Sequence, residues 1–358
     1  MMMSQMLRRM GSSQSVSHQS RQTWIIVALA VLCIVGVTLV SVSVGTRQLE
    51  FGDVMYALFT GDQSNVTGII VWKRVPRTVF GLLAGAALGV AGLLMQSVTR
   101  NPIADPSILG VNSGASLAVV SGIAFLGITT AAQYMVLAIA GAAAAAILVY
   151  GVGSAGRGGA TPLKLALAGT AISMALTSLV SVIVMPNTQV MDQFRFWQVG
   201  SISGANWDGI IAFLPIFIIG ILVAFAIAPA LEVLAMGDEA AVGLGARPGL
   251  VRLVSSIAAV ALCGATTAIA GPISFVGLMV PHAVRVITHT TMRNQVFLCA
   301  LTGALLLVVS DVAGRVLGNM LIASSTELEV GIITAFIGAP VFIAIAVRAG
   351  GSRALEAN

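Results

Sequence analysis

The chain has 358 residues, of which 58% are hydrophobic and only 9% charged, and its formal net charge is +5. A soluble domain carries roughly 25% charged residues, so this composition cannot clothe a water-facing surface and excludes an ordinary soluble enzyme. Apolar runs of about 20 residues fit helices that cross a bilayer, and their lack of strict alternation excludes a membrane barrel.

In chain order, a polar tail over residues 1–23 ends without a small-residue cleavage site, so the run 24–44 reads as a retained span rather than a signal peptide. Further spans are predicted at 76–98, 108–127, 131–150, 163–185, 208–230, 249–270, 273–291, 296–316 and 328–348. The third is open to a break, and the eighth, with Pro281, His282 and Arg285, is expected to be short, tilted or partly outside the core. Ten crossings put both termini on one side together with twelve of the 18 basic residues, and the positive-inside rule makes that side cytoplasmic. The resulting division is a cytoplasmic tail (1–23), a membrane domain (24–348) with a cytoplasmic loop near 231–250, and a second cytoplasmic tail (349–358). In the outer loop 185–209, Trp197 and Trp207 have the amphipathic rings that anchor at a membrane interface.

Several chemistries find no support. Cys33, Cys263 and Cys299 stand alone in apolar runs and read as small buried hydrophobes, with no metal or redox spacing. His282 and His289 are seven positions apart with no carboxylate or thiol beside them, so no metal site is predicted. The glycine-rich GVGSAGRGGA (151–160) lacks the Lys-Ser or Lys-Thr of a phosphate loop; energy from ATP must come through a partner. No nucleophile and base are spaced for catalysis, and the spans hold few of the ionisable residues that ion-coupled transport needs. An externally powered carrier is favoured.

Three polar features remain. The stretch RNPIADPSILGVNSGA (100–115) interrupts apolar sequence with Asn101, Pro102, Pro106 and Gly110. Its prolines remove backbone donors and stop the descending helix. Asp105, Asn112 and Ser113 can serve the freed backbone groups, or Asp105 can pair with Arg100. ADPSILGVNSGA (104–115) is loosely echoed by AGPISFVGLMVPHA (270–283) in the opposite orientation, as in many transporters. The loop 231–250 holds Met236, Gly237, Asp238, Glu239, Gly243 and Gly245; it is either an amphipathic turn or a short helix on which a partner pushes. At the outer side, Arg74, Arg77 and Arg315 can anchor to lipid or dock a protein by charge, while Asp311, four residues before Arg315, can pair with it on one helix face.

The stretch RVPRTVFGLLAGAALGVAGLLMQSVTRNPIADPSILGVNSGA (74–115), with GPISFVGLMVPHAVR (271–285) and ELEVGIITAFIGAPVFI (327–343), resembles the permease subunits of binding-protein-dependent ABC importers for iron–siderophore, haem and cobalamin, the FecCD-like permeases. The resemblance runs from about residue 45 to 348 and departs from the commonest pattern only at Lys73-Arg74-Val75, where a leucine often precedes the proline. It implies an all-α, polytopic type II importer permease of ten transmembrane helices in a bacterial cytoplasmic membrane. It also implies a dimer with a second copy or a close homologue around an axial pathway. Two cytoplasmic ATP-binding subunits, holding ATP and Mg, would dock on the coupling loop around 236–246. A periplasmic or lipoprotein substrate-binding protein would dock on Arg74, Arg77 and Arg315. The chain would bind no cofactor or nucleic acid and catalyse nothing itself; it would move a ferric siderophore by alternating access. Haem or cobalamin as cargo, a secondary transporter, or a receptor without broken helices are the alternatives.

Overall fold

In hydrocarbon every backbone N–H and C=O must be satisfied within the chain, and the apolar runs accordingly become helices. The structure, a computed structural model, describes residues 25–45, 49–156, 161–288, 290–321 and 327–356. The tail 1–23, Arg157 and His289 lie outside the described residues. The helices are α1 (Ile25–Ser43), α2 (Phe51–Thr60), α3 (Val66–Thr99), α4 (Val111–Ser121), α5 (Ala131–Ser154), α6 (Pro162–Val184), α7 (Thr188–Gln198), α8 (Trp207–Ala235), α9 (Asp238–Gly243), α10 (Pro248–Ala270), α11 (Val276–Ile287), α12 (Met292–Leu321) and α13 (Val330–Glu356). A 3₁₀ turn (Pro106–Leu109) leads into α4, and a π turn (Gly122–Leu126) ends it.

Among the described residues seven helices, α1, α3, α5, α6, α8, α10 and α12, are long and apolar enough to cross a membrane. Three shorter apolar helices, Val111–Leu126, Val276–Ile287 and Val330–Ile345, occupy the positions of the third, eighth and tenth predicted spans. The chain is therefore an all-α multi-pass membrane protein.

Helix starts follow side-chain caps. Asn65, Thr161 and Asn206 accept from the third amides of α3, α6 and α8, and Thr130 with Gln133 forms a capping box on α5. The Asn65 cap corrects the second span: α3 begins ten residues before Pro76 and carries that proline inside a helix of 34 residues. The extension is stabilised because it buries Val71 with Val54 and Ala57 of α2 and Val42 of α1. Two helices escaped the hydropathy reading: α2, apolar but only ten residues long, and α7, both short and polar. α7 buries Val190 and Phe194, and Trp197 stacks on Phe194 at 6.0 Å between ring centroids. Trp207, 41% exposed, opens α8. α13 continues to Glu356, past the predicted end of the last span.

α3 is the axis of the packing. A Cβ on Gly85 would overlap the Gly303 carbonyl of α12, and one on Gly92 would overlap the Gly277 carbonyl of α11. Backbone approach of this kind is how membrane helices gain contact where lipid is as apolar as leucine. Phe80 of α3 meets Phe217 of α8 edge-on at 6.5 Å, and α10 closes the remaining side with buried Ala259, Leu262 and Ala265.

Gly92→Ala is expected to destabilise the protein by about 1–3 kcal/mol, the usual range for overpacking a rigid site, because its new methyl meets backbone. Gly52→Ala in α2, where nothing lies within 4 Å, should unfold like the wild type. Thermal unfolding of both variants in detergent checks this.

Candidate functional site

Where α1, α3 and α12 meet, four charged side chains form one cluster. Arg77 on α3 donates through Nε (3.1 Å) and Nη2 (2.7 Å) to Asp311 Oδ1, and through Nη1 to Glu327 Oε2 (2.5 Å). Arg315, one turn after Asp311 on α12, donates through Nη2 to Asp311 Oδ2 (2.7 Å). The same guanidinium reaches α1, donating through Nη1 to the carbonyls of Ser41 and Val44 (both 2.6 Å) and through Nη2 to Ser41 Oγ (2.8 Å). Arg74 Nη1 donates to the carbonyls of Val42 (2.9 Å) and Ser43 (2.8 Å). The last carbonyls of a helix have no partner within it, and two arginines supply donors and favourable charge to the end of α1.

This geometry places the three arginines named from sequence together, and it takes two of them off the surface. Arg315 is 1% exposed and Arg77 9%, while Arg74 is half-buried. The Asp311–Arg315 pairing is present. Glu327 was missed, since nothing in a sequence separation of 250 residues signals a contact with Arg77.

The second polar feature is the break after α3. Arg100 caps α3 in the left-handed region (φ 50°), and its amide donates to the Gln96 carbonyl. Asn101 Oδ1 accepts from the Ile103 amide (3.1 Å) and Asp105 Oδ1 from the Ser107 amide (2.9 Å). Asp105 therefore serves the freed backbone; Arg100 pairs elsewhere, with Asp238. Asn112 does not cap α4 but accepts from Thr267 Oγ1 of α10 (3.1 Å). Asn101 and Pro102 are exposed, whereas Pro106 and Gly110 (φ 76°) are buried. A Cβ on Gly169 of α6 would overlap the Ile108 carbonyl, so the break lies directly on α6.

The echoed segment is also a break. After Gly271 the chain runs without helix to Phe275, which adopts φ 69°, and α11 begins at Val276. The two breaks meet: a Cβ on Gly277 would lie 3.0 Å from Asp105 Oδ2 and 3.2 Å from Pro106 Cδ. Gln96 Nε2 donates to the carbonyls of Gly277 (3.3 Å) and Leu278 (3.2 Å), and its Oε1 accepts from Arg285 Nη1 (2.9 Å). Beside them is a cavity of about 380 Å³ lined by Asn112, Ser113 and Ser116 of α4, Thr177 of α6, Gln198 of α7, Ser274 and Phe275, and Gly331 and Ala335 of α13. Its polar groups are neutral hydroxyls and amides, and the rest of the lining is apolar or glycine.

After α8, Met236 caps the helix, Gly237 turns with φ 118°, and α9 follows, so the loop does contain a short helix. Ala241 is buried, while Met236, Val242 and Leu244 are 69%, 61% and 64% exposed. Glu239, Gly243 and Gly245 (φ 81°) are exposed as well. Asp238 is held below the ordinary carboxylate range, first by hydrogen bonding from Arg252 and then by the charges of Arg252 and Arg100, against a desolvation that opposes them. No group of three or more His, Cys, Asp or Glu side chains that could hold a metal occurs among the described residues.

Asp311→Asn is expected to cost about 3–5 kcal/mol, the penalty for leaving buried charge uncompensated, because Arg77 and Arg315 both depend on that carboxylate. Unfolding in detergent, read against Asp192→Asn on the exposed face of α7, measures it.

The chain has close relatives. It is 41% identical over 313 residues to the ferric enterobactin transport system permease protein FepD of Escherichia coli (strain K12), covering 87% of this chain and 92% of that one. It is 42% identical over 329 residues to the Fe(3+)-citrate import system permease protein YfmD of Bacillus subtilis (strain 168), covering 91% and 95%. Its fold matches a solved structure of a metal-chelate type ABC transporter in an inward-facing conformation, with a TM-score of 0.77 and 25% identity over 91% of this chain and 99% of that one. The model of the FecCD transport family matches residues 16–348; by that match and by its relatives, the chain belongs to the FecCD transport family of ABC permeases.

Proposed function

We propose that the chain is the membrane-spanning half of an ATP-driven importer that carries a ferric siderophore into the cell by alternating access. The observation that carries this reading is the pair of opposed helix breaks beside a neutral polar cavity, in a chain whose relatives are named as permeases for ferric enterobactin and Fe(3+)-citrate. In this reading α4, α11 and α13 also cross the bilayer. That gives ten crossings and two cytoplasmic termini, and it puts Arg100, Asp238 and Arg252 at the cytoplasmic face. Two copies, or one copy and a close homologue, enclose the pathway between them.

Two ATP-binding subunits, which bind ATP and Mg, dock on the loop from Met236 to Gly245. The exposed Met236, Val242 and Leu244 on a water-facing helix end supply the apolar contact such an interface needs. A substrate-loaded binding protein docks at the opposite end. There the half-buried Arg74 and the exposed Lys73 present positive charge, Arg77 lies just beneath, and the sealed Arg315 supports them from behind. Asn101, Pro102, Pro106 and Gly110 are the inner gate, where helix direction changes without a regular hydrogen-bond ladder.

Cargo passes groups that carry no charge: serine, threonine, asparagine and glutamine side chains share the cavity lining with apolar residues such as Val180, Val199 and Phe275. Selectivity then belongs to the binding protein. Reconstituted with its ATP-binding subunit and binding protein, the permease should import radiolabelled ferric enterobactin or ferric citrate with ATP present, and not haem or cobalamin. Uptake of haem or cobalamin instead would reassign the cargo, and uptake without any ATP-binding subunit would make the chain a secondary transporter.

Arg74→Gln should weaken binding of the loaded binding protein by on the order of tenfold at low salt. The difference from wild type should shrink as salt screens the charges. Titration of the binding protein onto the purified permease at several salt concentrations decides it, and an unchanged affinity at low salt would remove Arg74 from the interface.

A further inference from the structure

At the cytoplasmic end one carboxylate joins three elements. Asp238, the first residue of α9, accepts from Arg252 Nη2 of α10 at both oxygens (2.7 and 2.8 Å), and its Oδ1 also accepts from Arg100 Nη2 (2.5 Å). Arg100 Nη2 donates as well to the Leu234 carbonyl in the last turn of α8 (2.6 Å). The Arg252 side chain is only 6% exposed, so its charge requires a fixed partner, and that partner is Asp238. Arg100 is one of two non-glycine residues at positive φ among the described residues. Such a conformation persists where surrounding contacts over-determine it. Here it ends α3 and starts the break that leads to α4.

An isolated surface ion pair contributes little stability. This one differs in what it connects. Behind Arg100, one turn back, Gln96 holds the first carbonyls of α11. A single side-chain contact therefore separates the loop on which the ATP-binding subunit docks from the residues where both helix breaks meet.

We propose that Asp238 is a positioning residue for transport: through Arg100 it fixes α9 to the break between α3 and α4, so that movement of α9 is delivered to the broken helices instead of being absorbed in the loop. The proposal rests on reading the chain as the permease of an ATP-driven importer. It assigns Asp238 a task inside the permease, whereas the exposed apolar residues of the loop make the contact with the ATP-binding subunit.

The test uses the full assembly in proteoliposomes, with the radiolabelled ferric chelate that the wild type takes up. Substrate imported per ATP hydrolysed is measured for wild type, Asp238→Asn, Arg100→Gln and the double variant. Arg100→Gln leaves Arg252 neutralised by Asp238, so it removes the link to α3 while the α9–α10 pair remains. Expected are normal assembly with the ATP-binding subunit, continued hydrolysis, and a severalfold fall in import per ATP for each single variant. The double variant should be no worse than Asp238→Asn alone, because Arg100→Gln removes a link that Asp238→Asn has already broken. A wild-type ratio in Arg100→Gln, additive losses, or loss of assembly in place of loss of coupling would each overturn the proposal. A wild type that binds no ATP-binding subunit would instead bring down the permease reading itself.

Discussion

The structure depends on how closely other backbones approach α3. Lipid offers helices no hydrophobic reason to associate, so cohesion must come from packing and from satisfied polar groups. α3 provides the first through Gly85 and Gly92, where α12 and α11 lie backbone to backbone. A helix of 34 residues is about 51 Å long at 1.5 Å per residue, longer than the hydrocarbon core of about 30 Å. Its two ends therefore stand at opposite faces, and charged groups bracket its middle: Arg77, the twelfth residue of the helix, and Arg100, just past its last, lie about 35 Å apart along the axis. A rigid axis with a polar joint at each end follows from these two facts.

The outer joint shows why a membrane protein keeps buried arginines. Arg315 neutralises part of Asp311 and also caps α1, so one guanidinium meets two obligations that would each be costly if unmet. The cluster ties α1, α3 and α12 to Glu327 at the entry to α13, which lines the polar cavity through Gly331 and Ala335. The cavity itself carries no ionised lining group.

Much of this was legible in the sequence, for physical reasons that differ by element. The long spans follow from length and apolar content, and the first break follows from Pro102 and Pro106; the second was visible only as a loose echo of that stretch within a predicted span. The start of α3 was obscured because Pro76 resembles a first-turn proline, while the Asn65 cap that sets the true start lies in polar sequence. α2 and α7 are one-sided helices too short for a hydropathy window. At the outer site, Asp311 and Arg315 were visible as neighbours on one helix face, but local spacing cannot report the burial that Ser41, Arg77 and Glu327 impose on them. Asp238 was noticed as a charge on a loop; its partners lie 138 and 14 residues away.

The two breaks have a common physical logic. An interrupted helix exposes amides and carbonyls that hydrocarbon cannot solvate, so the interruption survives only where protein supplies partners. Asn101 and Asp105 serve the first break from within, and Gln96 donates to the Gly277 and Leu278 carbonyls in the first turn of α11, the former left without its helical donor by Pro281. Gln96 belongs to the last turn of α3, just before the first break, so one helix end organises both. Hydrogen bonds from a side-chain amide can be re-made after a small shift, unlike the backbone ladder of a continuous helix. The close glycine contacts of α3 thus form a fixed scaffold immediately next to these exchangeable bonds.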